Sequence, residues 1–487
     1  MFKRKKLGKA LANAVNYGQW KRLAREWDIE HGLDKWKRSD RSRRYDFVSI
    51  RKRLEQLRGF RASGDNHGLL YTLNEGIHGN MGGMGNPALY NQAKFGTKQL
   101  ISEFIDELSS AIEYIASDDV TDISFEEKVD FIRRASICCG RSAIMLSGSG
   151  TLLYFHLGVV KALLEEDLLP TIMSGSSGGS IVSAILGTHS KEELEELMDP
   201  AFMISLIDEQ RQRLEESGAS RPNQQHIRES LAKMIPADMT FAEAEKLSGI
   251  KINVSIAPAE QYQTSRLMNA ITSPTVYVLD AVVASAAVPG VFPPVQLTAK
   301  NAYGERQPYL PGRLWVDGSV TNDLPAKRLM RMYQVNHFVV SQTNPHIVPF
   351  ISDEREQGAL SKAVNNFTKH TVRDGLSLYT EVMKRPLKGL PRAQHLLAMA
   401  NSVINQDYTG DINILPPLKI INVRKLLSLR TEADIILMVE AGERSTWPKM
   451  EMIRIQTKLS RTIDQIQKQL LEIAIESEAE VHYKKAS

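Results

Sequence analysis

One pentapeptide constrains this chain more than any other feature: Gly175-Ser176-Ser177-Gly178-Gly179. It fits the pattern G-x-S-x-G, in which a serine sits on a sharp strand-to-helix turn that bulkier neighbours would not permit. Apolar residues at 171–173 and 181–185 predict that strand and helix. Ser177 would then be able to attack an acyl carbonyl, with a helix N-terminus behind it. Taken alone, the pattern also describes an ordinary glycine-rich turn.

A second turn of small residues precedes the serine. Residues 143–146 have the pattern of a buried strand and lead into Ser147-Gly148-Ser149-Gly150-Thr151, and residues 152–164 then have the apolar pattern of a helix. Backbone N–H groups at such a turn point outward and can bind an anion. A phosphate-binding P-loop would need a Lys that is missing at the required spacing. The nearby serine therefore favours an oxyanion hole.

A carboxylate that could serve the serine lies further along the chain. Residues 313–316 predict a strand that ends at Asp317-Gly318-Ser319. An aspartate beside a glycine is ordinarily a turn former. Next to a nucleophilic serine, it can instead accept the serine proton and act as the base of a two-residue catalytic pair. The residues alone leave both interpretations open.

Four motifs, taken in order, resemble the patatin-like phospholipase family. They are Gly148-Ser149-Gly150 with Gly158, and residues 175–179, 284–294 and 317–319. The resemblance spans roughly 143–346 and implies an α/β fold with a three-layer α/β/α core. It implies Ser177 as nucleophile and Asp317 as base, and hydrolysis of acyl esters without a metal or other cofactor. It also implies an oxyanion hole from the amides of Gly148, Ser149 and Gly150, and a nucleophile elbow shaped by Gly175, Gly178 and Gly179.

The chain departs from the family pattern in its oxyanion turn. The turn is usually all glycine in the family, and Ser149 replaces the middle residue here. A positive φ at that position would strain a serine. Serine is small and keeps its backbone N–H, so we expect the turn to work. Ser319 likewise replaces the more usual Gly or Ala.

A narrower resemblance lies outside these motifs. Residues 94–101 and 335–346 resemble the triacylglycerol-lipase branch of the family, which carries an extra N-terminal domain of unknown function. It implies neutral glycerides or phospholipids as substrates, at a membrane or lipid-droplet surface. Two alternatives are a lysophospholipid acyltransferase and a non-catalytic membrane-associated scaffold. The acyltransferase motif H-x-x-x-x-D is absent, because none of the 11 histidines has an Asp five places on.

Charge is unevenly distributed along the chain. Residues 1–61 hold 19 Lys and Arg against 7 Asp and Glu, a net charge of +12, whereas the whole chain carries +4. Such a segment suits either an anionic membrane surface or an ordinary solvated helical surface. No nucleic-acid-reading motif accompanies the charge, so nucleic acid is not a predicted partner. No apolar run of membrane-spanning length and no secretory leader is seen, which predicts a cytoplasmic, peripherally membrane-associated protein.

The pattern along the chain predicts three segments. They are a basic helical domain (1–135), a catalytic domain (136–346) and a helical C-terminal region (347–487). Helices are predicted at 9–27, 45–57, 98–115, 125–138, 367–383 and 393–404, a loop at 61–86, and strands at 250–256, 276–279 and 333–342, the last core strand. Residues 191–246 predict charged helices, either a lid or a peripheral subdomain.

Two further features have competing interpretations. Apolar residues recur every three or four positions over 450–475, which fits a helix that mediates a dimer or one that packs within the chain. His156 lies close to Ser177 in sequence but in a different predicted helix, so we expect a structural hydrogen bond rather than a catalytic role. No His, Cys and Asp cluster has zinc-ligand spacing.

Overall fold

The structure, a computed structural model, describes residues 2–77, 81–218, 222–260, 263–319, 323–344, 410–421 and 428–486. Two compact units account for these residues. The helical unit draws on Met1–Ser142, Met330–His337 and Trp447–Ser487, and the sheet unit on Ala143–Leu329 and Phe338–Thr446. The helical unit thus takes segments from both ends of the chain. The division into three segments with boundaries at 136 and 347 stays a prediction.

Helices occur along most of the described ranges. In chain order they are α1 (Phe2–Ala12), α2 (Tyr17–Glu30), α3 (Leu33–Arg38), α4 (Phe47–Ser63), α5 (Asn66–Gly76), α6 (Pro87–Tyr90), α7 (Gln99–Ala116), α8 (Phe125–Cys139), α9 (Leu153–Glu165), α10 (Gly178–Gly187), α11 (Lys191–Leu197), α12 (Pro200–Ser217), α13 (Gln224–Leu231), α14 (Phe241–Ser248), α15 (Val278–Ser285), α16 (Ala326–Tyr333), α17 (Glu432–Thr446) and α18 (Met450–Ala486).

The strands begin after α8. In chain order they are β1 (Arg141–Leu146), β2 (Ile172–Gly175), β3 (Lys251–Pro258), β4 (Arg266–Met268), β5 (Thr298–Lys300), β6 (Arg306–Pro308), β7 (Trp315–Asp317), β8 (Val335–Ser341) and β9 (Ile412–Ile414). None of the helices in the described ranges is long and apolar enough to cross a bilayer.

The N-terminal helices differ from the prediction in two places. The helix predicted at 9–27 is two helices, because Asn16 caps α2 by accepting a hydrogen bond from the Gln19 amide at 2.8 Å. The prediction of a loop at 61–86 was wrong, because these residues include α5. Asp65 caps that helix and Leu69, Leu70 and Leu73 are buried along it. The surrounding Gly and Asn residues concealed this short apolar stripe.

The predicted helices at 98–115 and 125–138 are confirmed as α7 and α8. The apolar stripe of α18 packs against these two helices, so its side chains are covered within the chain. Its buried members are Met452, Ile455, Leu459, Ile463, Ile466 and Leu470. A dimer through this helix stays a prediction. The aromatic residues Tyr17 and Trp20 are also buried, so their rings pack inside the protein.

Within the described residues, seven strands form one mixed sheet in the order β4-β3-β2-β1-β8-β9, with β7 also paired to β3. Strands β1, β2 and β3 run parallel, as do β8 and β9. Strands β4 and β7 run antiparallel to β3, and β5 and β6 form a separate hairpin. Helices α10, α14 and α15 pack against β3. The predicted α/β fold with helical regions at both ends is confirmed.

The predicted strands agree only in part with the structure. The strand predicted at 250–256 is confirmed as β3, whereas residues 276–279 make only isolated bridges before α15 begins at Val278. Strand β8 is not the last core strand, because Val339 pairs with Ile412 of β9. The helices predicted at 367–383 and 393–404 lie outside the described residues.

The charged stretch at 191–246 forms helices α11 to α14, and Pro222 and Pro236 lie between helices. Its role as a lid stays a prediction.

Candidate active site

Strand register brings the predicted site residues to one edge of the sheet. The parallel strands align Leu146 with Gly175, and Gly175 with Val254. Ser177 follows Gly175 by two residues. Strand β7 places Asp317 opposite Ile256, two residues beyond Val254. The Ser177 hydroxyl and the Asp317 carboxylate therefore come close enough to form a hydrogen-bonding interaction, although they are distant in sequence.

Ser177 occupies a strained backbone conformation. It precedes α10 with φ of 50° and ψ of −125°, a combination that L-amino acids rarely adopt and that costs about 1–3 kcal/mol. Its amide donates to Ser285 Oγ at 2.9 Å, and that hydroxyl donates to the Ser255 carbonyl at 2.8 Å. These two bonds hold the turn in place, and the Ser177 residue is only 7% exposed.

The glycines of the elbow allow backbone segments to approach closely. A Cβ on Gly178 would lie 2.6 Å from the Gly150 carbonyl oxygen, and one on Gly179 would lie 2.7 Å from the Ser147 carbonyl oxygen. A Cβ on Gly175 would collide with the backbone of Gly179. Because these neighbours are backbone atoms, they cannot rotate away. The three glycines thus bring the serine up against the preceding turn.

That turn, which we call the amide loop, comprises residues 147–150. Ser149 has φ of −135°, which suits any L-residue, so the replacement of glycine by serine brings no strain. Gly150 takes the positive φ, at 51°. Among the described residues, no group accepts a hydrogen bond from the backbone amide of Ser149 or Gly150. Both amides are therefore able to bind an anion beside Ser177.

Gly148 requires a correction. Its amide, predicted as a third oxyanion donor, donates to the Asp323 carboxylate at 2.6 Å. A bond of this length to a carboxylate is strong, so the amide is already occupied. The amide loop therefore offers Ser149 and Gly150 as donors, and Gly148 as its attachment point.

Asp317 is almost fully buried, and burial raises the pKa of its carboxyl group to about 6. Hydrogen bonds from the Ser319 amide at 2.8 Å, the Ser319 hydroxyl and the Ser177 hydroxyl oppose this by lowering the pKa. Such a carboxylate is ionised at neutral pH but more basic than an exposed one, which suits it to accept a proton.

His156 is a structural hydrogen-bonder, as expected. It is fully buried, and burial lowers the pKa of its imidazole to about 4, so the ring is neutral. Its Nε2 donates to the Ser147 carbonyl at 3.1 Å, and its Nδ1 accepts from Ser341 Oγ at 2.7 Å. The ring thus supports the amide loop from behind. In the described part of the chain, no group of three or more His, Cys, Asp or Glu is arranged to hold a metal ion.

Comparison with known proteins assigns the chain to a family. Residues 144–330 match the patatin-like phospholipase family, and residues 2–136 match a domain of unknown function, DUF3336. The chain is 33% identical over 460 residues to "Triacylglycerol lipase ptl3" of Schizosaccharomyces pombe, covering 91% of this chain and 92% of that protein. The chain belongs to the patatin-like phospholipase family.

Other patatin-like relatives are longer than this chain. "Triacylglycerol lipase 4" of Saccharomyces cerevisiae is 33% identical over 91% of this chain and 50% of its own length. A "Patatin-like phospholipase domain-containing protein" of Chaetomium globosum is 32% identical over 95% of this chain and 57% of its own length. The chain thus spans about half the length of these two relatives. VipD from Legionella pneumophila is a remote likeness, with 14% identity, a TM-score of 0.32 and coverage of 64% of this chain and 67% of its own.

Two residues of this patatin-like site were missed by sequence reasoning. Ser285 lies within the motif at 284–294 and Asp323 follows Asp317 by six residues. The motif at 284–294 was the available signal for Ser285, whereas Asp323 lies outside the four motifs. Their partners, the amides of Ser177 and Gly148, lie far away in sequence, so spacing alone does not reveal them.

The strain at Ser177 predicts an unusual order of stability. Ser177→Gly and Ser177→Ala both remove the hydroxyl, but only glycine relieves the positive φ. We expect the glycine variant to be more stable than the alanine variant by about 1 kcal/mol. Chemical denaturation of the two purified variants measures this difference.

Ser183 provides the matched control. It is also buried, it lies inside α10, and it has helical geometry. Here Ser183→Ala should be the more stable variant, by about 1 kcal/mol over Ser183→Gly, because alanine favours a helix. Equal stabilities, or a more stable alanine variant at Ser177, would contradict the strain argument.

Proposed function

We propose that this chain hydrolyses fatty acyl esters of glycerolipids through a Ser177–Asp317 dyad in the segment 136–346. The observation that carries the proposal is the buried Asp317 carboxylate beside the Ser177 hydroxyl, next to two backbone amides that have no acceptor among the described residues. Family membership and relatives named as triacylglycerol lipases support it. Neutral glycerides and phospholipids are the proposed substrates.

In the proposed reaction, Asp317 accepts the proton of Ser177 as the serine oxygen attacks the acyl carbonyl carbon. The carbonyl oxygen becomes an oxyanion that the Ser149 and Gly150 amides stabilise. The tetrahedral intermediate then collapses, and Asp317 returns the proton to the departing alcohol oxygen, which leaves an acyl ester on Ser177. Asp317 next takes a proton from water, whose oxygen attacks that ester, and then reprotonates Ser177 as the fatty acid leaves.

The amide donors explain why a dyad is sufficient. Losing one oxyanion donor costs an enzyme about 3 kcal/mol of barrier lowering, so two preorganised donors supply a large share of the catalysis. The N-terminus of α10 lies directly behind Ser177 and adds a favourable field for the developing charge. No step needs a histidine, which agrees with the engagement of His156 elsewhere.

The dyad predicts that Ser177→Ala and Asp317→Asn each lower kcat for a triacylglycerol or phospholipid emulsion by roughly 10³-fold or more. The first variant lacks the nucleophilic oxygen, and the second lacks the base. Fatty acid release by the purified proteins measures the effect. Ser183→Ala removes a buried hydroxyl in the same unit and should retain activity.

Turnover near the wild-type level in either variant, with unchanged circular dichroism, would contradict the assignment of Ser177 and Asp317 as the dyad. A labelled lysophospholipid added as acceptor separates hydrolysis from acyl transfer, because transfer would place the label in phospholipid. Absence of turnover and of fluorophosphonate labelling in the wild type would instead favour a non-catalytic scaffold.

The raised pKa of Asp317 predicts the pH dependence. The base must be ionised to accept a proton, so kcat/KM should fall as the pH drops through about 6, by roughly tenfold per unit below that. Burial raises the pKa of the neighbouring Asp323 to about 7, so the pair titrates together. Initial rates with a soluble short-chain ester from pH 4.5 to 9 measure the profile. Undiminished activity at pH 4.5 would argue against a buried carboxylate base.

We further propose that residues 1–61 attach the protein peripherally to anionic lipid surfaces. Lys5, Lys6 and Lys9 are exposed on α1, and none of them forms an ion pair within the described part of the chain. Each such cation near lipid headgroups contributes about 1 kcal/mol. Replacing all three with Glu should weaken binding to phosphatidylserine vesicles roughly 100-fold or more at low salt, measured by sedimentation.

The control makes the same charge change elsewhere. Lys246, Lys327 and Lys419 are exposed cations outside the segment, and their replacement with Glu alters the net charge identically. This control should bind vesicles nearly as well as the wild type. Equal losses in both triple variants would mean that net charge, and not residues 1–61, governs binding.

A further inference from the structure

Gly148 is held in the amide loop by contacts on several sides. Its amide donates to Asp323 Oδ1 at 2.6 Å, and its carbonyl accepts from the Thr343 hydroxyl at 3.5 Å. Its Cα lies against Ser319, since a Cβ built there would be 2.8 Å from the Ser319 Cβ. Of these contacts, the bond to the carboxylate is the shortest. Ser147 fixes the start of the loop, through its amide to the Ser341 carbonyl and its carbonyl to His156. Asp323 fixes the next residue, from which the Ser149 and Gly150 amides follow.

Asp323 is itself fixed on several sides. The residue is 1% exposed. Its backbone carbonyl accepts from Ser176 Oγ at 3.0 Å, and Asn344 donates to its carboxyl group. Ser176 immediately precedes the nucleophile. One residue thus joins the amide loop, through its side chain, to the elbow, through its backbone.

This double attachment matters because an oxyanion hole works only at close range. Its donors must lie about 2.7–3.1 Å from the oxygen that becomes charged, and a displacement of about 1 Å costs roughly 100-fold in rate. The Ser149 and Gly150 amides directly follow Gly148. A shift of Gly148 would therefore move these donors relative to Ser177.

We propose that Asp323 is a positioning residue, whose bond to the Gly148 amide holds the Ser149 and Gly150 amides at the distance from Ser177 that oxyanion binding requires. This proposal rests on the proposed hydrolase function. Asp323 touches neither the substrate nor the Ser177 hydroxyl in this mechanism, so it acts only through the amide loop.

The bond can form in either charge state of Asp323, although it favours the ionised one. Burial raises the pKa of this carboxyl group to about 7. The hydrogen bond from Gly148 lowers this pKa, whereas the negative charge of Asp317 raises it. A carboxyl oxygen accepts a hydrogen bond whether or not the group is protonated. An asparagine of the same shape would also offer an oxygen to Gly148, whereas leucine would not.

The variants Asp323→Asn and Asp323→Leu therefore separate the effect of the hydrogen-bond acceptor oxygen from the effect of side-chain shape. With an oxoester substrate, we expect Asp323→Leu to lower kcat about 10- to 100-fold with KM within about twofold of the wild type, since only transition-state binding is lost. Asp323→Asn should stay within about threefold of the wild-type kcat.

A thionoester substrate gives a readout that a merely structural role would not change. Its sulfur is larger and a weaker acceptor than oxygen, so a well-placed oxyanion hole prefers the oxoester. The ratio of oxoester to thionoester kcat should fall at least about fivefold in Asp323→Leu and remain unchanged in Asp323→Asn.

Asp411→Leu is the matched control. Asp411 also accepts a backbone amide hydrogen bond in the sheet unit, from Phe338 at 2.7 Å, but at the start of β9 and away from Ser177. It should leave both kcat and the substrate ratio unchanged. Thermal unfolding of each variant checks the fold, and Asp323→Ala takes the place of Asp323→Leu, with the same expectations, if the latter does not fold.

A folded Asp323→Leu or Asp323→Ala variant with wild-type kcat and substrate ratio would overturn the proposal. So would an Asp323→Asn variant as impaired as Asp323→Leu, because the acceptor oxygen would then not be what matters. Failure of the proposed function differs from both outcomes, since the wild type itself would then hydrolyse neither substrate and Ser177 would resist fluorophosphonate.

Discussion

Backbone pairing of β2 and β7 along one edge of β3 fixes the position of the two groups proposed to react. Strand β2 pairs with residues 251–254 and leads to Ser177, and β7 pairs with the next residues of β3, 256–258, along the same edge and ends at Asp317. The Asn253 side chain locks the first pairing by donating to the Met173 carbonyl at 3.1 Å. Because side chains alternate between the faces of a strand, a slip of one residue would turn Asp317 away from Ser177. The chemistry therefore depends on register before it depends on any side-chain property.

Burial then gives these groups their electrostatic character. Asp317 and Asp323 are both almost fully excluded from water, and burial raises the pKa of each carboxyl group towards neutrality, to about 6 and about 7. Two negative charges this close in an apolar interior repel each other, so the pair favours holding one proton near neutral pH. In the proposed mechanism the two carboxyls have separate tasks: Asp317 exchanges protons with Ser177, and Asp323 holds the amide loop.

The sequence predicted the parts of the site that local patterns encode. Glycines at Gly175, Gly178 and Gly179 marked a tight turn, and the structure shows close backbone approach at each. Contacts between distant segments were not predictable. The occupied amide of Gly148 depends on Asp323, which arrives from another loop. Strand β9 was missed because its three residues, Ile412–Ile414, are too few to show a period, and only pairing with β8 identifies them. Helix α5 was missed because Gly and Asn dominate its surroundings.

The most direct test of the proposed mechanism is a crystal structure of the protein after reaction with an alkyl fluorophosphonate. We expect phosphorus bonded to Ser177 Oγ, with the phosphoryl oxygen about 2.7–3.1 Å from the Ser149 and Gly150 amides. The Gly148 amide should remain on Asp323. An unmodified Ser177, or a phosphoryl oxygen directed away from both amides, would contradict the mechanism.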